Sequence, residues 1–312
     1  MHSKLGIRAG LAFACVCLFW GTTYLGIRMA LEAFPPAVVV ASRFVISGGL
    51  LIVFARVRGY KTPPAREFWR TAFFGFLILG LGNGSLAYSE LLIPSGMASL
   101  FITISPFWLV GLESLMPGGE KLHAPTIAGM VVGFLGTALL VTSNSGGASG
   151  GFSLLAGFAI TQFGVASWCS GSILQKRHPG KASPWMSLGI QQLAAGVAFV
   201  PIALLSPSQP IHWSARGVGA VLYLVVFGSW VGYTAYIYGL RRIPVAIFST
   251  YSYVNCVVAV ALGWLVYREP FGLKETVAML IIFTGVGIVK WQTSKSKRDV
   301  LKSEGIRVSD GT

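Results

Sequence analysis

The sequence predicts an all-α polytopic membrane protein with ten transmembrane helices, arranged as two inverted five-helix repeats. Three observations lead to it: an apolar composition, ten apolar stretches of spanning length, and a repeat between the two halves of the chain. Hydrophobic residues make up 54% and charged residues 11% of the 312 positions, and the mean hydropathy is +0.70. So few charged residues cannot cover a soluble globule with polar surface, and the chain is therefore predicted to lie in lipid.

A span needs about 20 apolar residues to cross roughly 30 Å of hydrocarbon. Helices are expected because lipid offers no partners to exposed backbone groups, and the alternating pattern of a barrel strand is missing. Turn residues such as Pro94-Ser95-Gly96 separate the stretches. The predicted helices cover residues 9–30, 38–55, 71–93, 97–116, 125–142, 152–174, 184–205, 217–240, 245–267 and 273–291.

The first, fourth and fifth predicted spans each have a further feature in their sequence. Lys4 and Arg8 precede an apolar run that continues to about Ala30, too far for a signal peptide, so this run is predicted to be an uncleaved first helix. Pro106 lies in the middle of the fourth span and permits a bend there, because it frees a backbone carbonyl. Gly129, with other small residues of the fifth span, forms a seam for close helix packing.

The two halves of the sequence resemble each other at a nearly fixed offset. At an offset of 148 residues the matches are Trp20 with Trp168, Arg28 with Lys176, Pro36 with Pro184 and Gly48 with Gly196. At an offset of 150 they are Gly82 with Gly232, Tyr88 with Tyr238, Pro94 with Pro244 and Ser99 with Ser249. A duplicated unit with an odd number of spans inserts its second copy upside down, and such repeats form sites that face either side of a membrane in turn. The predicted units are residues 1–145 and 146–292, followed by a basic cytoplasmic tail at 293–312.

The formal charge of +14 follows the positive-inside pattern of membrane proteins. With the N-terminus in the cytoplasm, the inner segments hold 19 Lys and Arg residues and the outer loops hold 4, while Arg43 lies within a span. Nucleic-acid binding is not expected, since no basic face is interleaved with exposed aromatic residues. We expect a multi-pass protein of a bacterial-type inner membrane, with both termini in the cytoplasm.

Polar side chains at mid-span depth are the candidate functional residues, because they are costly to place in lipid. They recur at helical spacing in both halves, so each set shares one helix face. The matched stripes of the first and sixth spans are predicted to line the site together, and they consist of Trp20, Thr23, Tyr24 and Ile27 and of Trp168, Gly171, Ser172 and Gln175. The predicted substrate-binding residues are Trp20, Tyr24, Asn83, Glu90, Ser105, Trp168, Tyr233 and Asn255. Phe101 and Tyr251 are predicted to be the outer and inner gates. Interfacial aromatic belts and hydrogen bonds between packed helices remain the alternative interpretation of any single residue.

Glu90 is the most distinctive single residue of this set. It either faces the cavity, where it could bind an ammonium group or exchange a proton, or forms an ion pair with Arg43 at similar depth. The four cysteines lie within predicted spans and the four histidines in loops or a tail, without the spacing of a metal site or a disulfide framework. No cofactor and no metal site is predicted.

Four stretches resemble the EamA family of the drug/metabolite transporter superfamily: Phe19-Trp20-Gly21-Thr22-Thr23-Tyr24, Arg43-Phe44, Glu90 ahead of Pro94-Ser95-Gly96, and Tyr253-Val254-Asn255. The likeness covers essentially the whole chain. It implies a ten-helix inverted-repeat fold, a central cavity lined by spans 1, 3, 4, 6, 8 and 9, and the export of small metabolites such as amino acids.

The function expected from these observations is export of a small metabolite, such as an amino acid or a derivative, by alternating access. Its partners would be a small-molecule substrate, the lipid bilayer and, through Glu90, protons. A passive facilitator and a drug or xenobiotic efflux carrier remain alternatives. A membrane-embedded enzyme is disfavoured because the histidines have no paired ligands, and a scaffold would gain nothing from two matching polar faces.

Overall fold

A computed structural model describes residues 2–117, 123–143, 148–205, 210–240, 242–243, 251–269 and 271–303. Within these ranges every regular element is a helix, which agrees with the predicted all-helical class. The α-helices are α1 His2–Leu31, α2 Pro36–Val57, α3 Ala65–Gly75, α4 Gly82–Ser89, α5 Ser95–Ile102, α6 Ser105–Leu115, α7 Ala124–Ser143, α8 Ala148–Arg177, α9 Pro184–Leu205, α10 Ala215–Tyr223, α11 Gly232–Leu240, α12 Tyr251–Tyr267 and α13 Leu273–Ser303. Two π-helical segments, π1 Phe76–Leu81 and π2 Leu224–Val231, join α3 to α4 and α10 to α11.

Seven helices in the described part of the chain are long and apolar enough to cross a membrane. They are Ile7–Leu31, Pro36–Val57, Ala65–Ser89, Ser95–Leu115, Phe152–Arg177, Pro184–Leu205 and Ala215–Tyr236. Ala124–Leu139 and Tyr251–Tyr267 are shorter apolar helices. Residues 245–250 of the predicted ninth span and the predicted unit boundary at residue 145 lie outside the described residues. The last helix continues past its predicted end at residue 291, into the predicted tail, as far as Ser303.

Large apolar side chains remain exposed on the outer faces of the bundle, among them Leu50, Val53, Leu135, Phe163 and Leu204. In water an apolar surface of this extent would drive aggregation, whereas in a bilayer it matches the surrounding lipid tails. Inside the bundle, side chains such as Phe44, Leu79 and Leu224 are fully buried. The chain therefore combines a packed interior with a lipid-compatible exterior.

The element boundaries repeat the offset of the sequence. Helices α2 and α9 both begin at a proline, and π1 and π2 begin 148 residues apart, at Phe76 and Leu224. Helices α4 and α11 both begin at a glycine, 150 residues apart. Since π-helical segments are rare, their recurrence at the same register marks the duplication independently of residue identity.

Helices α2 and α9, which correspond in the two halves, pack closely through a pair of matched glycines. A Cβ on Gly48 would overlap the backbone nitrogen of Leu193, and a Cβ on Gly196 would overlap the backbone nitrogen of Val45. The contacts are reciprocal, because Gly48 matches Gly196 and Val45 matches Leu193 at the 148-residue offset. Residue numbers rise from 45 to 48 in one helix as they fall from 196 to 193 in the other, so the two helices run antiparallel.

Helices α7 and α13 show the same relationship. A Cβ on Gly136 would lie 2.9 Å from the backbone nitrogen of Ile282, and a Cβ on Gly285 would overlap the backbone nitrogen of Gly133. These contacts are again reciprocal, because Gly136 matches Gly285 and Gly133 matches Ile282 at an offset of 149 residues. The two helices again run antiparallel. The small-residue seam predicted for the fifth span is the surface on which α13 packs.

The connections place particular loops at the same end of the bundle. The Glu67 carboxylate, just inside α3, accepts hydrogen bonds from the backbone N–H groups of Lys181 (2.6 Å) and Ala182 (2.8 Å), between α8 and α9. Lys176 lies 3.4 Å from Glu113 near the end of α6. The loops before α3 and before α9, both predicted to be cytoplasmic, therefore lie together.

Candidate functional site

A central cavity of about 130 Å³ lies between helices of both halves. The first half contributes Trp20, Thr23, Tyr24, Arg43, Gly82, Asn83, Leu86, Ile102 and Ser105. The second half contributes Thr161, Gly164, Val165, Trp168, Tyr233, Tyr251, Ser252 and Asn255. Most of these side chains are aromatic or carry a hydroxyl or amide group, as expected of a site that binds a small polar molecule within lipid.

Seven of the eight predicted substrate-binding residues line the central cavity. They are Trp20, Tyr24, Asn83, Ser105, Trp168, Tyr233 and Asn255. The predicted inner gate Tyr251 also lines it. Glu90 and the predicted outer gate Phe101 do not lie among its lining residues. The geometry thus brings most of the predicted set together, while the role of each residue stays a prediction.

Trp20 is the centre of an aromatic cluster at one side of the central cavity. Its ring lies 5.2 Å from Tyr233 and 5.4 Å from Tyr251, both edge-on, and stacks on Tyr236 at 5.0 Å between ring centroids. The repeat partner Trp168 lies 6.5 Å away in an edge-on arrangement. Edge-on and offset geometries are the favourable ones for aromatic rings, so this cluster forms a packed wall.

The two tryptophans occupy reciprocal positions. A Cβ on Gly232 would overlap the indole nitrogen of Trp20, and a Cβ on Gly82 would lie 3.0 Å from the Trp168 ring. Gly82 and Gly232 begin the α-helices that follow the π segments, so each tryptophan packs against this junction in the other half. The glycines are needed there because a larger side chain would displace the ring.

Along α1 and α8, the residues that line the central cavity lie to one side of the Trp20–Trp168 pair. In α1 the lining residues that follow Trp20 are Thr23 and Tyr24, and in α8 the lining residue that precedes Trp168 by three positions is Val165. Both directions lead to the end of the bundle where α1 ends and α8 begins. The sequence predicted a matching stripe at Gly171, Ser172 and Gln175, beyond Trp168, and these three residues lie outside the central cavity.

Arg43 is the charged residue of the lining, a role that the sequence interpretation missed. Its side chain is 5% exposed. Nε donates a hydrogen bond to Ser229 Oγ at 3.0 Å, and one terminal nitrogen donates to Asn83 Oδ1 at 3.5 Å. An arginine two turns into an apolar span was the available signal, but it was interpreted as a possible partner of Glu90.

Glu90 lies outside the central cavity. Its side chain is fully buried, and within the described ranges neither carboxylate oxygen has a hydrogen-bond partner. Arg28 donates to the backbone carbonyl of Glu90, not to its carboxylate. The alternative ion pair with Arg43 is not formed in the described part of the chain, because Arg43 is bonded to Ser229 and Asn83.

The fourth span is broken next to Pro106, as predicted. Helix α5 ends at Ile102 and α6 begins at Ser105, because proline supplies no N–H to continue the helical ladder. Gln162, which the sequence interpretation missed, bridges this break: its amide nitrogen donates to the Phe101 carbonyl at 3.2 Å and its oxygen accepts from the Trp108 indole at 2.9 Å. The fully buried Phe101 ring packs edge-on against Phe158 at 5.0 Å.

Asn255 combines a place in the lining with a structural contact. Its side-chain amide faces backbone carbonyls of α1 and α12. With the amide nitrogen turned toward them, it lies 2.8 Å from the Cys17 carbonyl and 3.1 Å from that of Tyr251. Asn255 therefore ties α12 to α1 beside the central cavity, which is the helix-packing alternative considered for polar residues in spans.

A polar, aromatic cavity enclosed by apolar membrane helices is typical of a membrane transporter. The chain belongs to the EamA-like transporter family, within the drug/metabolite transporter superfamily: residues 7–142 and residues 155–291 each match the family. Among the described residues, no group of His, Cys, Asp or Glu is placed to hold a metal ion.

Two similar proteins are named as transporters. The chain is 33% identical over 280 residues to the inner membrane transporter YedA of Escherichia coli strain K12, covering 89% of each chain. It is 26% identical over 293 residues to a probable terminal-alkyne amino-acid exporter of Streptantibioticus cattleyicolor, covering 92% of this chain and 95% of that one. A solved crystal structure with 20% identity shares the fold at a TM-score of 0.65, covering 92% and 98% of the two chains.

Proposed function

We propose that this protein exports small metabolites, such as amino acids or their derivatives, across a bacterial-type inner membrane by alternating access. The central cavity carries this proposal, because matched residues of both halves line it, Trp20 with Trp168 and Asn83 with Tyr233. The amino-acid exporter among the relatives supports the substrate class.

The proposed architecture is ten spans in two inverted units, residues 1–145 and 146–292, with a cytoplasmic tail at 293–312. Its support is the antiparallel, reciprocal packing of α2 on α9 and of α7 on α13. Corresponding helices that run in opposite directions are what inverted copies require. The excess of Lys and Arg in the loops at that end supports a cytoplasmic position for both termini.

The unequal use of the two matched stripes supports alternating access. The stripe beyond Trp20 lines it, while the matched stripe beyond Trp168 does not. Because the two halves are equivalent in sequence, exchanging their conformations would close the present cavity and open its counterpart on the other side of the tryptophan pair. Phe101 and Tyr251 are the proposed outer and inner gates, because in inverted copies Phe101 falls in the outer third of its span and Tyr251 in the inner third of its own.

The volume of the central cavity favours small substrates over drugs. A cavity of about 130 Å³ is close to the roughly 150 Å³ that holds benzene, and below the roughly 300 Å³ at which drug-sized pockets begin. Passive facilitation is the second candidate mechanism, because Glu90, the proposed proton carrier, lies outside the lining.

Transport into proteoliposomes tests the proposal. The purified protein would be offered radiolabelled alanine, valine and phenylalanine, with a xenobiotic cation such as ethidium as the contrast, each with and without a pH difference. Saturable amino-acid uptake is the expected result, and its stimulation by the pH difference separates proton-coupled transport from facilitation. Uptake of ethidium alone would indicate drug efflux, and uptake of none of these compounds beyond protein-free vesicles would contradict amino-acid export.

A further inference from the structure

The guanidinium of Arg43 is a buried cation that faces the central cavity with neutral partners. Its described hydrogen bonds go to a hydroxyl group, on Ser229, and an amide oxygen, on Asn83. These bonds occupy two of the five N–H groups that a guanidinium carries. A buried charge with neutral partners alone is costly, and a charge-assisted bond to an anion would offset that cost.

Apart from Glu90, the carboxylates whose side chains the structure describes are engaged elsewhere. Glu32 pairs with Arg216, Glu67 binds the loop at Lys181, Glu113 lies beside Lys176, Glu269 binds the start of α5, and Glu275 binds Gly272. Glu90 remains, and it lies outside the lining, next to Arg28. Among the side chains that the structure describes, none therefore supplies a counter-ion to Arg43.

The positive charge that Arg43 brings to the cavity lining comes from the first half of the chain and has no counterpart among the described lining residues of the second half. The repeat partner of Arg43 is Gln191, which is likewise buried in its own helix but does not line the central cavity. The described residues of the lining thus include one cationic group and no acidic group. In the same space, the groups available to an ammonium are aromatic faces. They include the rings of Trp20 and Tyr233, which lie in contact with each other.

We infer that Arg43 is the anion-binding group of the central cavity and that the transported molecules are recognised by a carboxylate, with the amino group dispensable. This inference rests on the proposed function and names the chemical class of its substrate. Arginine suits this role because its planar fork binds both oxygens of a carboxylate. Asn83 and Ser229 hold the guanidinium in place, leaving its remaining N–H groups for the ligand.

Matched compounds test the inference on the unmodified protein. Each amino acid is compared with its deaminated acid and its decarboxylated amine: alanine with propionate and ethylamine, valine with isovalerate and isobutylamine, phenylalanine with 3-phenylpropionate and phenethylamine. We expect uptake of the acids and amino acids, with uptake of the amines at least about tenfold lower. Amines transported as well as the amino acids would overturn the inference while leaving the proposed transport function intact.

A binding measurement separates the two proposals. The thermal unfolding midpoint of the purified protein is measured with each acid and each amine, in wild type and in Arg43→Gln, which places the residue of the repeat partner at this position. Stabilisation by acids that is lost in Arg43→Gln and partly kept in Arg43→Lys supports the inference even if transport is absent. Equal stabilisation by acids and amines, or no stabilisation by either together with no uptake, contradicts it.

Discussion

The indole nitrogen of Trp20, in the first half, donates a hydrogen bond of 3.1 Å to the backbone carbonyl of Gly228, in the second half. Gly228 lies within π2, where the α-helical ladder is interrupted. This bond fixes the orientation of the ring that contacts Tyr233, Tyr236 and Tyr251. A side chain of the central cavity is thus held by an irregular segment of the opposite repeat.

Trp20→Phe removes this donor while keeping an aromatic ring. We expect uptake of the transported amino acid to fall about tenfold, because a buried carbonyl loses its partner and the ring loses its orientation. Trp168→Phe is the matched control, since in the described part of the chain its indole nitrogen has no hydrogen-bond partner. Equal losses in the two variants, measured as initial uptake rates, would show that the bond to Gly228 is unimportant.

Gly48→Leu tests the contact between α2 and α9. The new side chain would collide with the backbone of Leu193, and overpacking of this kind costs at least about 1–3 kcal/mol. We expect a clear drop in the thermal unfolding midpoint in detergent, or loss of the monodisperse protein. Gly49→Leu is the control, because a Cβ at Gly49 meets nothing within 4 Å. Similar behaviour of the two variants would contradict the close approach of these helices.

Glu269→Ala tests a contact between the halves near α5. The Glu269 carboxylate accepts hydrogen bonds from the backbone N–H groups of Ser95 (2.8 Å) and Gly96 (3.0 Å), at the start of that helix. Losing a cap of this kind costs about 1–2 kcal/mol. The comparison is Glu113→Ala, whose exposed pairing with Lys176 is worth about 0–1 kcal/mol. A larger loss of thermal stability in Glu113→Ala would refute this assignment.

Glu90→Gln separates substrate binding from coupling. Because Glu90 lies outside the central cavity, we expect the KM for the transported amino acid to stay within about twofold, while the response to a pH difference is lost. Uptake is measured at several substrate concentrations, with and without the pH difference. A KM raised about tenfold would instead place the carboxylate in contact with substrate, and an unchanged response would assign coupling to another group.

Helical periodicity was sufficient to bring most of the predicted binding residues to the central cavity. The spacing of Trp20 and Tyr24, and of Tyr251 and Asn255, places each pair on one helix face, and these faces meet at the central cavity. The repeat identified Trp168 as the counterpart of Trp20. Such short-range patterns are set by the sequence of one helix and need no knowledge of its neighbours.

Other features depend on the packing of distant segments. The sequence predicted that the stripes of both halves would line the site together, but the asymmetric conformation leaves Ser172 outside it. Glu269 precedes the last helix in sequence, yet its carboxylate binds the start of α5 in the other half. Arg43 and Glu90 were paired because they have similar depth, although depth does not determine which way a side chain points around its helix.

Side-specific thiol labelling tests whether the two halves exchange conformations. Thr23→Cys and Ser172→Cys, each in a background without the four native cysteines, lie on the matched stripes beyond Trp20 and Trp168. In oriented vesicles we expect an impermeant reagent to label Thr23→Cys from the outer side and Ser172→Cys from the cytoplasmic side, with substrate gradients speeding one reaction as they slow the other. Labelling of both positions from the same side, or changes in the same direction, would contradict alternating access through inverted halves.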